Sequence, residues 1–176
     1  MTIKSPIINI MTKAAYKAGN KLIKDFREVE NLQVSKKGVG DFVSTADFNS
    51  EETIINELQK FYPNIDIIAE ETNPNINDNK SEKKFLVDPL DGTLNFLHGL
   101  PHFSISIALM YKEEIISGIV YDPIKDEMFW AEKGIGAFLN NSRIRVSSRN
   151  DLTEGLIATG IPWKGRTQKK HKNYIK

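Results

Sequence analysis

From residue 103 to residue 140 short apolar runs follow one another at intervals of about 10 residues, a spacing that most constrains how this chain can fold. The runs are 103–111, 115–121, 127–131 and 137–140; Lys112-Glu113-Glu114 and Asp122-Pro123-Ile124-Lys125-Asp126 lie between the first three with turn composition. Strands so close in sequence are joined most simply by hairpins, so the segment reads as an antiparallel meander. Upstream the period changes. Ile7, Ile10, Met11, Ala14, Ala15, Ala18, Leu22 and Phe26 recur every three or four residues, the stripe of an amphipathic helix beginning after Pro6. Residues 45–58 repeat that signal and Pro63 stops it, with Lys36-Lys37-Gly38-Val39-Gly40-Asp41 as the expected loop between the helices. Two further strands are expected at 65–69 and 85–88, and 72–84 reads as a flexible polar stretch. Helices first and a meander later imply an α+β fold, a layered sandwich of N-terminal helices on a largely antiparallel sheet.

With 176 residues, 40% of them hydrophobic, the chain can bury a core as one domain. It has no cysteine, which excludes disulfides, thiolate metal sites and a cysteine nucleophile. A net charge of +1 argues against a general nucleic-acid binder. The charge is uneven, however: residues 164–176 hold six Lys/Arg and no acid. The expected organisation is therefore a mildly acidic body, 1–163, and a basic tail, 164–176, which reads as an ordinary solvated end or a contact for RNA. The first ten residues lack a signal-peptide pattern. The longest apolar run, 105–111, is interrupted by Ser106 and falls far short of the ~20 residues a bilayer requires. The cytoplasm is the default expectation.

The chemistry concentrates in Asp88-Pro89-Leu90-Asp91-Gly92-Thr93, directly after the apolar strand Phe85-Leu86-Val87. Pro89 restricts φ and Gly92 permits a tight bend, so two carboxylates are turned toward one side at a strand end. Two such charges ~4 Å apart repel by ~4 kcal/mol at an effective dielectric of 20, which calls for a cation between them. On local chemistry alone the segment reads either as a cation site or as a turn. Asp122-Pro123-Ile124-Lys125-Asp126 is the internal control: Lys125 interrupts its acids and no Gly-Thr follows, as in a solvated hairpin. Glu70-Glu71 closes the 65–69 strand, and Asp47 stands at the expected start of the second helix; each also has a bland reading, as a solvated strand end and as a favourable first-turn charge. Hard oxygen ligands without cysteine suit Mg²⁺ or Mn²⁺. Thr93 adds a hydroxyl and, with Gly92, backbone N–H groups suited to a phosphate.

In order and spacing, Gly40-Asp41-Phe42-Val43-Ser44-Thr45-Ala46-Asp47, Ala69-Glu70-Glu71 and Val87-Asp88-Pro89-Leu90-Asp91-Gly92-Thr93-Leu94-Asn95-Phe96-Leu97-His98-Gly99 resemble the inositol monophosphatase family over residues 5–160. The resemblance implies a magnesium-dependent phosphomonoesterase, with two or three Mg²⁺ ions or Mn²⁺ in their place, acting on inositol monophosphate or a related small phosphate ester as a homodimer. It further implies that Glu70, Asp88, Asp91 and the carbonyl of Leu90 are metal ligands. Leu90, Asp91, Gly92 and Thr93 would contact substrate phosphate, and Asp47 with Thr93 and Glu70 would act on the attacking water. Ala69 stands where the family commonly has Gly. Carboxylates already account for the metals, so His98, His102 and His171 are expected to be structural or surface residues.

Members of the family also carry a Trp-Asp-x-Ala-Ala-Gly segment whose Asp completes the second metal site, and these 176 residues do not contain it. The expectation is a C-terminally truncated member with the first metal site, the water-activating pair and impaired catalysis. Two alternatives stand beside it. One is a sibling phosphatase of bisphosphate sugars or nucleotides. The other is a non-catalytic member associated with RNA polymerase or RNA.

Overall fold

The computed structural model describes residues 4–32, 39–72 and 81–158. The chain divides into two compact units, Met1–Arg145 and Val146–Lys176. The boundary expected at 163/164 and the basic tail lie outside the described residues.

The first unit begins with α1 (Pro6–Leu32). Ser5 is its cap: its Oγ accepts from the Ile8 N–H at 3.4 Å, and Pro6, whose missing N–H costs nothing at a first helical position, follows directly. The helix thus starts at Pro6 itself. From Met11 onward the apolar stripe read from the sequence is the buried face, with Met11, Ala14, Ala15, Ala18 and Leu22 fully inaccessible, whereas in the first turn Ile8, not expected there, is buried and Ile7 and Ile10 are only partly so. Helix α2 (Val39–Phe61) begins earlier than expected. Of the loop expected at 36–41, residues 39–41 are helical and the rest lies outside the described residues. Gly40 weakens a helix by only ~1 kcal/mol, which tertiary packing overrides. Asp47 consequently sits inside the helix and not in its first turn.

A seven-stranded sheet follows in sequence order. Its strands are β1 (Asp66–Ala69), β2 (Lys83–Asp91), β3 (Ser104–Tyr111), β4 (Glu114–Asp122), β5 (Glu127–Glu132), β6 (Gly136–Leu139) and β7 (Ser142–Ile144). The first pair is parallel and every later pair antiparallel, which is the expected meander with one parallel edge strand added. Lys83 and Lys84, expected in the flexible stretch, instead pair with Tyr111 and Met110. The short strand β7 was not foreseen. Between β2 and β3 lies the one-turn helix α3 (Thr93–Leu97).

Helices α1 and α2 pack together on one face of the sheet, against Phe85, Val87, Ile105, Ile107, Ile119 and Trp130. On the other face Leu86, Ala108, Gly118, Phe129, Ala131 and Ala137 line an open trough of about 1220 Å³. Glu57 of α2 is held by Lys13 at 2.7 Å and Lys17 at 2.5 Å, whose hydrogen bonds lower its carboxyl to about 2. The internal control behaves as a hairpin: Asp122 accepts from the N–H groups of Ile124 and Lys125 at 3.0 Å and pairs with the Lys125 ammonium at 2.8 Å.

Gly19 marks the closest approach of α1 to the sheet. A Cβ there would stand 2.7 Å from Tyr121 Cε1 and 3.2 Å from Pro123 Cβ. Tyr121 cannot easily yield, since its hydroxyl donates to Asp126 at 3.0 Å and its ring meets Tyr16 at 4.7 Å. Overpacking of this kind costs ~1–3 kcal/mol, more than the ~1 kcal/mol that alanine contributes as a helix former. Gly19→Ala is therefore expected to lower the urea midpoint of unfolding; a midpoint at or above wild type contradicts this packing.

In the second unit, Asp151 caps a single 3-10 turn, Leu152–Glu154, accepting from the Thr153 N–H at 2.9 Å and its hydroxyl at 2.8 Å.

Candidate active site

The site grows from the ends of β1 and β2. These strands run parallel with Ala69 opposite Val87, and the Glu70 N–H continues the ladder by donating to the Val87 carbonyl at 3.3 Å. This register sets Glu70 beside Asp88. Past Asp88, the pairing of β2 with β3 slips: Asp88 faces Ser106, but Asp91 faces Ser104, so two residues on one strand, Pro89 and Leu90, oppose one on the other, Ile105. Pro89 explains the slip, because it has no N–H to give the ladder. The consequence is chemical. Strict alternation would place residues three apart on opposite faces, whereas the bulge resets the alternation and brings Asp91 into electrostatic range of Asp88.

The turn that follows is fastened at several points. Asp88 Oδ1 accepts from the Leu90 N–H at 3.2 Å, and the buried Ser50 hydroxyl of α2 donates to the Pro89 carbonyl at 2.9 Å. Gly92 adopts φ +96°, and a Cβ there would meet the His102 carbonyl at 3.0 Å, so glycine is required on both counts. Thr93 opens α3, and its Oγ1 donates to the Leu90 carbonyl at 3.0 Å. The first N–H groups of that turn have no acceptor within the helix. Asn95 closes the loop by donating from Nδ2 to the His102 carbonyl at 2.7 Å. The His98 and His102 side chains are exposed, and His171 lies outside the described residues.

From α2, Asp47 is buried and Oδ1 finds no hydrogen-bond partner among the described residues. Its carboxyl is raised to about 7, first by burial and then by the charges of Glu71, Asp88, Glu70 and Glu51. Asp88 is raised to about 6 by burial, by Glu70 and Asp91, and by a hydrogen-bonding contact with the Glu70 carboxyl. Burial, Glu70 and Glu51 raise Glu71 as well. Thus Asp47, Glu70, Asp88 and Asp91, each singled out from sequence, gather at one end of the sheet with Leu90, Gly92 and Thr93 beside them.

Sequence reasoning missed Ser50 and Glu51. Glu51 is fully buried; its Oε2 accepts from the Glu71 N–H at 2.8 Å and its Oε1 from the Thr72 hydroxyl at 2.5 Å. Its place one helical turn after Asp47 was the available signal.

Among the described residues no three His, Asp or Glu side chains form a ready-made cage for a metal ion. The donor chemistry nevertheless fits a hard cation. The donors are all oxygen, several are desolvated, and the buried Asp47 Oδ1 lacks a partner among the described residues.

The raised acids imply a definite pH dependence in the cation-free protein. An acid whose folded pKa exceeds its unfolded value of 3.8 binds more protons when folded, so its contribution to stability is present below pH 3.8 and lost as pH rises through the folded value. For Asp47 that window closes near pH 7. In chelator, Asp47→Asn, which imitates the protonated acid, is expected to melt with wild type at pH 4 and above it at pH 8. Equal melting temperatures at both pH values would contradict the assigned environment.

Fold and site together define an α+β protein whose oxygen donors converge at paired strand ends beside a glycine-bearing turn. The chain belongs to the inositol monophosphatase family, whose model matches residues 3–176. It is 47% identical over 163 residues to an inositol-1-monophosphatase of Rhizobium meliloti, covering 93% of this chain and 61% of that protein. To a Nus factor SuhB of Haemophilus influenzae it is 44% identical over 160 residues, covering 91% and 60%. Among solved structures, extragenic suppressor protein suhB from Bartonella henselae superposes with a TM-score of 0.73 at 45% identity, covering 84% of this chain and 57% of that one. An inositol monophosphatase from Anabaena (Nostoc) gives 0.70 at 32% identity, covering 83% and 51%. The chain therefore spans about three fifths of the length of these curated relatives. No helix among the described residues is long and apolar enough to cross a membrane.

Proposed function

We propose that these residues form the cation-binding and water-activating part of a phosphomonoesterase acting on inositol monophosphate or a related small phosphate ester. The observation that carries this reading is the convergence of Asp47, Glu70, Asp88 and Asp91, where burial first and mutual repulsion second raise Asp47 and Asp88 toward neutrality. Such a cluster is disfavoured by itself and stabilised by a divalent cation. Glu70, Asp88, Asp91 and the Leu90 carbonyl would hold Mg²⁺, or Mn²⁺ in its place. Bound there, the cations would supply Lewis-acid stabilisation of phosphoryl charge and make water a nucleophile at neutral pH.

The chain's own groups do the rest. The Gly92 and Thr93 N–H groups face the phosphate, where donors aimed at developing negative charge lower the barrier. The Thr93 hydroxyl, with its proton engaged by Leu90, keeps lone pairs that accept from the attacking water and orient it. Asp47 takes the water's proton as the new P–O bond forms and the ester P–O bond breaks, and the departing alkoxide leaves as the alcohol after taking a proton from solvent. No covalent phosphoenzyme is required.

The test is phosphate release from inositol monophosphate, a bisphosphate sugar and a bisphosphate nucleotide, with and without Mg²⁺. Mg²⁺-dependent release from one of them is expected, and no release from any sinks the reading. We infer as a second reading a non-catalytic role with RNA polymerase or RNA, in which the basic residues 164–176 make the contact; that some relatives are named Nus factors supports it. Steeply salt-dependent RNA binding that vanishes on deleting 164–176 would favour it.

A further inference from the structure

Glu51 does not belong to the set just described, yet it is the most completely enclosed acid near it. It sits one turn after Asp47 on α2, fully inaccessible to solvent. Burying a carboxylate is costly unless its oxygens find donors. Glu51 finds two, and both lie in the segment that leaves β1: the Glu71 N–H at 2.8 Å and the Thr72 hydroxyl at 2.5 Å. That segment begins with Glu70, whose own N–H is held by the Val87 carbonyl. The Glu70 backbone is thus tied to the parallel ladder, and the two residues after it are tied to a side chain reaching over from the helix.

We propose that Glu51 is a positioning residue: by gripping Glu71 and Thr72 it holds the 70–72 turn so that the Glu70 carboxylate stays beside Asp88, and it thereby sets cation affinity without touching the cation. A residue serving packing alone would be better apolar here. A carboxylate adds a further negative charge where Asp47, Glu70 and Asp88 already repel, and such a charge is useful only if its two hydrogen bonds hold something. Charge-assisted bonds to a backbone N–H and a hydroxyl are short and directional, which suits holding a turn. The effect on cation affinity rests on the function proposed above; the grip on the turn does not.

The experiment uses the whole 176-residue chain with Glu51→Gln, Thr72→Val and Thr72→Ser. Glutamine keeps the shape of Glu51 but turns an NH₂ toward one of the two donors, valine removes the hydroxyl, and serine restores it. Three quantities are read: the melting temperature, hydrogen exchange of the Glu71 amide, and the calorimetric Kd for MgCl₂. Glu51→Gln and Thr72→Val are expected to accelerate Glu71 exchange and to weaken Mg²⁺ binding about 10- to 100-fold, the loss typical when an outer partner of a metal ligand is removed. Thr72→Ser should match wild type in both.

A folded Glu51→Gln variant with wild-type exchange and wild-type Kd overturns the proposal, and so does one that only lowers the melting temperature. If Glu51→Gln does not fold, Thr72→Val decides by the same two readouts. If the wild-type chain itself takes up no Mg²⁺, the cation reading fails while Glu71 exchange still decides: acceleration in the variants supports the grip, and unchanged exchange overturns it.

Discussion

Asp88→Asn is expected to abolish most of the heat of Mg²⁺ binding while leaving the chain folded. Asp88 stands where two constraints meet, the parallel register that places it beside Glu70 and the bulge at Pro89 that brings Asp91 within reach. Asparagine keeps the shape and can still accept from the Leu90 N–H, so the turn should survive. What is lost is the charge that compensates the cation. Removing an outer partner of a metal ligand already costs about 10- to 100-fold in affinity, and removing a ligand's charge should exceed that. Metal-free Asp88→Asn should also melt higher than metal-free wild type at pH 8, because one member of a repelling set has gone. Mg²⁺ should raise the melting temperature of wild type by linkage and leave the variant almost unmoved. Equal calorimetric heats in the two proteins would remove Asp88 from the cation site.

The second large effect is on phosphate release. Asp47→Asn and Thr93→Ala are each expected to slow release from the preferred phosphate ester by ~10²–10⁴-fold, the usual contribution of a positioned proton acceptor. Because both are proposed to act on the same water, the double variant should be no slower than the slower single. Independent losses that multiply would show that the two residues do not share a step. The chain spans 61% of its rhizobial relative, so the same variants should be measured also in a version extended by that relative's remaining segment. The extended version is expected to be faster, and equal rates would show that the added segment is dispensable. Circular dichroism on every variant separates lost chemistry from lost structure.

Much of this architecture could be read along the chain because its causes are local. The stripe from Ile7 to Phe26 needs only a period of 3.6, and the runs that became β3 to β6 need only period-two patterning with turn residues between them. The candidate site was legible for a different reason. Asp88, Asp91, Gly92 and Thr93 lie within six residues, so their chemistry and spacing are visible together. The misses share the opposite property. Lys83 and Lys84 look like part of a polar loop until Tyr111 and Met110 pair with them. Gly40 suggests a break, yet helix α2 runs through it. Glu51 reads as one more helix-surface acid until Glu71 and Thr72 arrive from 20 residues away.

By itself the sequence determined most of the helix and strand segments, that the sheet would be largely antiparallel, and the acids and hydroxyl of the candidate site, because each rests on neighbours within about one turn or one hairpin. Only the tertiary structure decided that β1 lies parallel to β2 in the register that sets Glu70 against Asp88, that the bulge at Pro89 brings Asp91 into electrostatic range of Asp88, and that Asp47 is buried deeply enough to rise toward neutrality. Register, bulge and burial are properties of pairs of segments distant in sequence. Their energies arise from contacts and lost hydration that exist only once the chain has closed on itself.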